Sequence, residues 1–164
     1  MSDPGLEKLL HRLSDNLRED RLVQNVADDV RNKLDVDRVV LYYFYRQWEG
    51  RVTFESLSHQ KYSILGSTGP DECFNGEYAE LYLNGRVRAI ADINNASIAE
   101  CHQEFLQQIE VKANLVVPIL TSKGLWGLLV AHHCQSPFDW SEAHVLAMKA
   151  GAAKLAEAKA IQNA

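Results

Sequence analysis

Clustered positive charge, long apolar runs and paired cysteines are all missing from this chain, and each absence narrows what it can do. Lysine and arginine never run together for more than two residues, and the formal net charge is −5. Tight nucleic-acid binding needs several cationic contacts to phosphate, so that function is not expected. No apolar stretch approaches the roughly 18 residues of a membrane span. The opening residues, MSDPGLEKLL, are polar and lack a signal-peptide pattern, so a cytoplasmic location is expected. There are 3 cysteines, Cys73, Cys101 and Cys134. An odd number, widely spaced and without a CxxC pair, suggests neither a disulfide framework nor a zinc site. The expectation is three free thiols, whose ordinary role is that of small buried hydrophobes.

What is present is an ordinary globular composition, with 46% hydrophobic and 24% charged residues over 164 positions. That length suits one domain, residues 1–164, with a real core. Leu6, Leu9, Leu10, Leu13 and Leu17 share a helical face. Leu22, Val23, Val26, Val30 and Leu34 continue it beyond the charged Arg18-Glu19-Asp20 break. Arg38 to Tyr45 is dominated by β-branched and aromatic residues and reads as a central strand, with Arg51 to Leu57 as its hairpin partner.

Residues 59–85 are glycine-punctuated, with room for one short helix from Gly76 to Leu83. So much loop in a compact domain points to function. Val87 to Ile93 suggests a strand. Ser97 to Ile109 suggests a helix, with Ser97 and Glu100 as a capping box. Leu115 to Leu120 and Leu125 to His133 form a second hairpin. Asp139 to Gln162 is expected as one alanine-rich closing helix, with Ser141 a candidate cap. No βαβ repeat occurs. The fold class is therefore α+β, a central antiparallel sheet with helices on both faces, the N- and C-terminal helices among them. The stripe on those terminal helices could pair two copies or connect to flanking domains.

Cys101 and His102 are adjacent on a helix and so do not share a face. They cannot serve each other as nucleophile and base, but they could present a thiol and an imidazole to two parts of one large ligand. A lone Cys-His step is usually incidental. Here it stands in AECHQEFL, followed by VKANLVVPIL and LWGLLVAHHC. That extended pattern resembles the bilin-binding GAF domain of phytochromes, and more closely their relatives, the cyanobacteriochromes. Asp71-Glu72-Cys73-Phe74 adds a likeness to their DXCF class, with Glu72 where proline is frequent.

The resemblance implies a photoreceptor and not an enzyme. Cys101 would hold a linear tetrapyrrole, phycocyanobilin or its isomer phycoviolobilin, through a thioether, with His102 packed beside the pyrrole nitrogens. Cys73 would add reversibly to the central methine carbon and give a blue-absorbing state. Photoisomerisation would then lead to a longer-wavelength state. Asp71 would accept pyrrole N–H groups. Arg86, in the GRVRAIADI segment, would clamp a propionate, with Arg88 ranked below it on the assumption that it faces the other way. Tyr78 and Tyr82 would wall the pocket. His132 would face inward, near a propionate or the terminal ring carbonyl, and His133 would face solvent. Cys134 would be structural, and Trp126 either core or pocket wall. Output signalling domains are expected in a longer parent chain. Two rivals stand beside this reading. One is a GAF domain holding a cyclic nucleotide or other small ligand non-covalently. The other is a thiol enzyme using Cys101 and His132.

Overall fold

A computed structural model describes residues 4–46, 49–68 and 76–164, the side chains of 76–79 excepted. Five strands form one antiparallel sheet in the order β2-β1-β5-β4-β3. They are β1 (Arg38–Arg46), β2 (Glu49–Leu57), β3 (Arg88–Ile90), β4 (Ala113–Thr121) and β5 (Gly124–His133). The helices are α1 (Pro4–Glu19), α2 (Arg21–Leu34), α3 (Gly76–Leu83), α4 (Glu100–Gln108), α5 (Glu142–Leu155) and α6 (Lys159–Gln162), with a short 3₁₀ turn at Gln60–Tyr62.

Side-chain alternation divides the sheet into two unlike faces. Val39 and Leu41 of β1, Leu115 and Val117 of β4, and Leu129 and Ala131 of β5 point to one side. They pack there with Leu17, Val23, Ala27, Met148 and Leu155 of α1, α2 and α5. This is the larger core. Each fully buried leucine in it contributes roughly 1.5–3 kcal/mol. Val40, Val116, Leu128 and Val130 point to the other side, where Tyr82 of α3 covers part of them. A third cluster, Ile90, Ile93, Leu106 and Val111, seats α4 beside the sheet.

Local chemistry sets the helix ends, and in several places it moves them from the expected positions. Asp20 caps α2 by accepting from the Leu22 and Val23 backbone N–H groups at 3.0 and 3.3 Å. Its second oxygen accepts from the Ala160 N–H at 3.2 Å, which ties the closing helix to the opening pair. The capping box expected at Ser97 is not used. Helix α4 starts at Glu100 behind Ala99, with no side-chain cap. At α5 Ser141 does cap, in a box with His144. The single helix expected over Asp139 to Gln162 is two, because Ala158 takes an extended conformation and buries itself in the core. The strand expected over Val87 to Ile93 pairs only from Arg88 to Ile90. Among the described residues no helix is long and apolar enough to cross a membrane.

Candidate functional site

The second face of the sheet is only partly covered, and α3, α4 and the 3₁₀ turn stand around the gap. Between them lies a cleft with about 880 Å³ of empty space, its open mouth included. Its floor is apolar, with Val40, Val116, Leu128 and Val130. The polar groups that break this floor come from specific rungs of the sheet. Arg38, His132 and Asn114 pair across β1, β5 and β4 and form one row. In the next row Val40, Val130 and Val116 lead to Arg88 on β3.

His132 lies at the end of β5 and is 3% exposed. Its Nδ1 accepts from Arg38 Nε at 3.0 Å. Burial holds its basicity well below the usual histidine range, and the charge of Arg38 and then His102 add to that. His102 reaches the cleft from α4 and is half-buried, while its neighbour Cys101 is exposed. Burial pushes the His102 imidazole down to about 4, helped by the Arg88 guanidinium. Both cleft histidines are therefore neutral at neutral pH. They are hydrogen-bonding groups there and not cations.

Tyr82 is buried and lines the cleft. Arg88 lines it too, whereas Arg86 lies outside with its guanidinium 5.8 Å from the Tyr82 ring centroid. The expected ranking of the two arginines assumed that they face opposite ways. Residues two apart on a strand share a face, and only Arg88 belongs to the strand. Arg88 faces the cleft because it pairs with Val116. The first residue of that strand therefore supplies the positive charge that acts on His102.

Other expectations also meet the structure. His133 does not face solvent freely. Its ring packs 4.3 Å from Phe138 and 5.3 Å from Trp140, between centroids, on the side away from the cleft. Trp126 belongs to the helix-side core, 5.0 Å from Tyr43 between centroids, and not to the cleft wall. Cys134 is a free, buried thiol, and burial raises it to about 11. Cys101, in contrast, is disulfide-bonded. That corrects the expectation of a free thiol there, since spacing along a chain does not report which sulfurs meet in space. Asp71, Cys73 and the side chain of Tyr78 lie outside the described residues.

Asn114 was not anticipated from sequence, because it sits inside an apolar strand that reads as plain core. It is 2% exposed and lines the cleft, and among the described residues its buried Oδ1 has no hydrogen-bond partner. A buried carbonyl left unpaired costs about 1–3 kcal/mol. The site therefore gains from a ligand that donates to it. We expect Asn114→Val to leave the ligand-free chain as stable as the parent, or up to about 1 kcal/mol more stable, in urea unfolding. Occupancy by the natural ligand should fall in the same variant. A loss of more than about 1 kcal/mol without ligand would show that the amide is already satisfied.

Comparison with known proteins places this geometry. The family profile described as GAF domain matches residues 18–158. An uncharacterised protein of Picosynechococcus sp. is 50% identical over 133 residues, covering 81% of this chain and 82% of that protein. The circadian input-output histidine kinase CikA of Synechocystis sp. is 32% identical over 158 residues, covering 82% of this chain and 21% of the kinase. The chain thus spans most of one relative and about a fifth of the other. Among solved structures, the blue-light absorbing form of the PixJ GAF domain from Thermosynechococcus elongatus superposes with a TM-score of 0.75 at 31% identity. The match covers 87% of this chain and 85% of that one. A phycocyanobilin-bound GAF domain from a cyanobacterial phytochrome gives a TM-score of 0.72 at 29% identity, over 94% of this chain and 93% of that one.

Proposed function

This chain belongs to the GAF domain family, and from that membership we propose that it is a photosensory domain that binds a linear tetrapyrrole covalently, of the DXCF cyanobacteriochrome kind. The observation that carries the proposal is the Cys101-His102 step at the start of α4. It puts a histidine into the cleft next to an exposed cysteine, and the same fold holds phycocyanobilin in a relative.

Attachment at Cys101 adds S–H across the double bond of the ring A side chain. A carbon–sulfur bond forms, the proton goes to the neighbouring carbon, and no oxidant is needed. The step requires a thiol, so the disulfide at Cys101 must be reduced first. His102 would then lie against the pyrrole nitrogens, with Asp71 as an acceptor. Tyr82 and Tyr78 would wall the pigment. Arg88, being in the cleft, is the better partner for one propionate, because its planar fork matches a carboxylate. Arg86 remains a candidate for the second, closer to solvent.

The pigment would be phycocyanobilin, in part isomerised to phycoviolobilin. It would photoconvert between a blue-absorbing state, with a Cys73 thioether, and a longer-wavelength state without one. The share of CikA covered suggests a place in a longer signalling chain, where the tied terminal helices would carry the change to output domains.

The test is the absorption spectrum of the chain produced in cells that make phycocyanobilin, taken before and after blue light. A coloured protein whose blue band bleaches as a longer-wavelength band grows supports the reading. A colourless protein of normal fold points instead to a GAF domain holding a cyclic nucleotide or other small ligand without covalent chemistry.

A further inference from the structure

We propose that Arg38 is a positioning residue that locks His132 in its Nε2–H tautomer, so that His132 meets whatever fills the cleft as a hydrogen-bond donor. This deepens the reading above and rests on it only for the identity of the ligand.

Arg38 is 1% exposed, the most deeply buried charged residue described here. Three of its nitrogens meet three neutral acceptors. Nε donates to His132 Nδ1 at 3.0 Å, Nη1 to the Tyr62 carbonyl at 2.7 Å, and Nη2 to the Ile109 carbonyl at 2.7 Å. Among the described residues no carboxylate pairs with it. A buried guanidinium remains a cation and has donors only. Its Nε–H therefore requires a lone pair on His132 Nδ1.

The consequence for His132 follows from proton counting. A neutral imidazole carries one N–H, and with Nδ1 accepting, that proton is on Nε2. An imidazolium would aim a second N–H at the first and would set a cation beside an unpaired buried cation. Among the described residues, His102 from α4 acts on His132, with Arg88 of β3 behind it, while Cys134, Glu55, Glu110 and Asp37 act on Arg38 without a hydrogen bond to Nδ1. None of them offers Nδ1 an acceptor. Among the described residues the side-chain hydrogen bond of His132 is the one at Nδ1, and the residue lines the cleft. The ligand atom placed at Nε2 must accept, as a carbonyl or carboxylate oxygen does.

The same guanidinium binds the last carbonyl of the α4 segment and the 3₁₀ turn. It therefore fixes the donor relative to the helix that carries Cys101 and His102. A purely structural staple would make those two bonds and leave the histidine tautomer open. Tautomer state is the property that separates the two roles.

The test is a long-range ¹H–¹⁵N correlation spectrum of the uniformly labelled full chain at neutral pH, with His132 assigned by the signals lost in His132→Gln. We expect a pyrrole-type nitrogen at Nε2 and a pyridine-type nitrogen at Nδ1. Arg38→Lys, which keeps a cationic donor, should retain that pattern. Arg38→Met should shift His132 to a mixture that includes the Nδ1–H form. A parent chain with Nδ1–H or an imidazolium overturns the proposal, and so does a folded Arg38→Met protein with an unchanged tautomer. If Arg38→Met does not fold, the parent and lysine spectra decide. Bilin uptake is scored separately. A chain with the expected tautomer that takes up no bilin ends the photoreceptor reading and leaves this inference standing.

Discussion

Cys101→Ala should lose all covalently held colour. Protein made with phycocyanobilin and then denatured in acid should keep its pigment on the polypeptide band when Cys101 is present. The alanine variant should run colourless. Cleft packing, burial against Tyr82 and contact with His102 all depend on the folded chain, and denaturation removes them. A thioether to a saturated carbon does not depend on the fold. The expected change is therefore from near-complete retention to none. The position of the residue favours this outcome, since Cys101 is exposed at the first turn of α4 while the next side chain enters the cleft. An arriving tetrapyrrole can reach the sulfur before it is fully enclosed. The disulfide at Cys101 sets a condition on the experiment. Reductant belongs in every arm, because an oxidised parent would fail to attach pigment for a reason unrelated to the site. Pigment that stays on the denatured alanine variant would move the anchor to another residue.

How far the sequence reveals this site depends on whether a residue's role lies along the chain or across it. The strands are readable because Arg38 to Tyr45, Leu115 to Leu120 and Leu125 to His133 are apolar runs of strand length, the first rich in β-branched and aromatic residues. Their alternation sent one of His132 and His133 inward, and the family resemblance pointed to His132. The helix periodicity of Leu6 to Leu34 was equally local. The break between α5 and α6 was not readable, because an alanine-rich run has no local reason to stop. It stops because Ala158 packs into the core and the Ala160 N–H finds Asp20, 140 positions away. Ser97 looked like a cap, but the chain enters the helix two residues later. The facing of Arg88 is set across the sheet, by the Val116 that lies opposite it. Arg38 and Asn114 show the deeper limit. Each is a polar residue in or beside an apolar strand, where a sequence reader sees a flank or a lapse. Their meaning comes from the row they form with His132, and only the register of three strands reveals that row.

Cys73→Ala should keep its pigment but lose the blue-absorbing state. On the proposed mechanism the Cys73 sulfur adds to the central methine carbon, and the displaced proton goes to the tetrapyrrole. That carbon becomes saturated, conjugation is cut between the two middle rings, and absorption moves to the blue. Alanine cannot make this bond, so the variant should absorb only at longer wavelength in both of its photostates. Covalent attachment should be untouched, because it depends on Cys101. The reversibility has a chemical basis. The thiolate is the attacking species, so addition follows the acidity and access of Cys73. Asp71, two residues before it, would raise the thiol pKa when charged and close, which leaves less thiolate and slows re-formation of the bond once light has broken it. Alkylation offers a second reading of the same step. Iodoacetamide added to the longer-wavelength state should trap the released thiol and prevent return of the blue band, while alkylation in the blue state should do little. If Cys73→Ala still shows a blue band that bleaches in light, the second thioether does not exist. The chain would then be a photosensor with one cysteine bond, its colours set by the surroundings of the terminal ring alone.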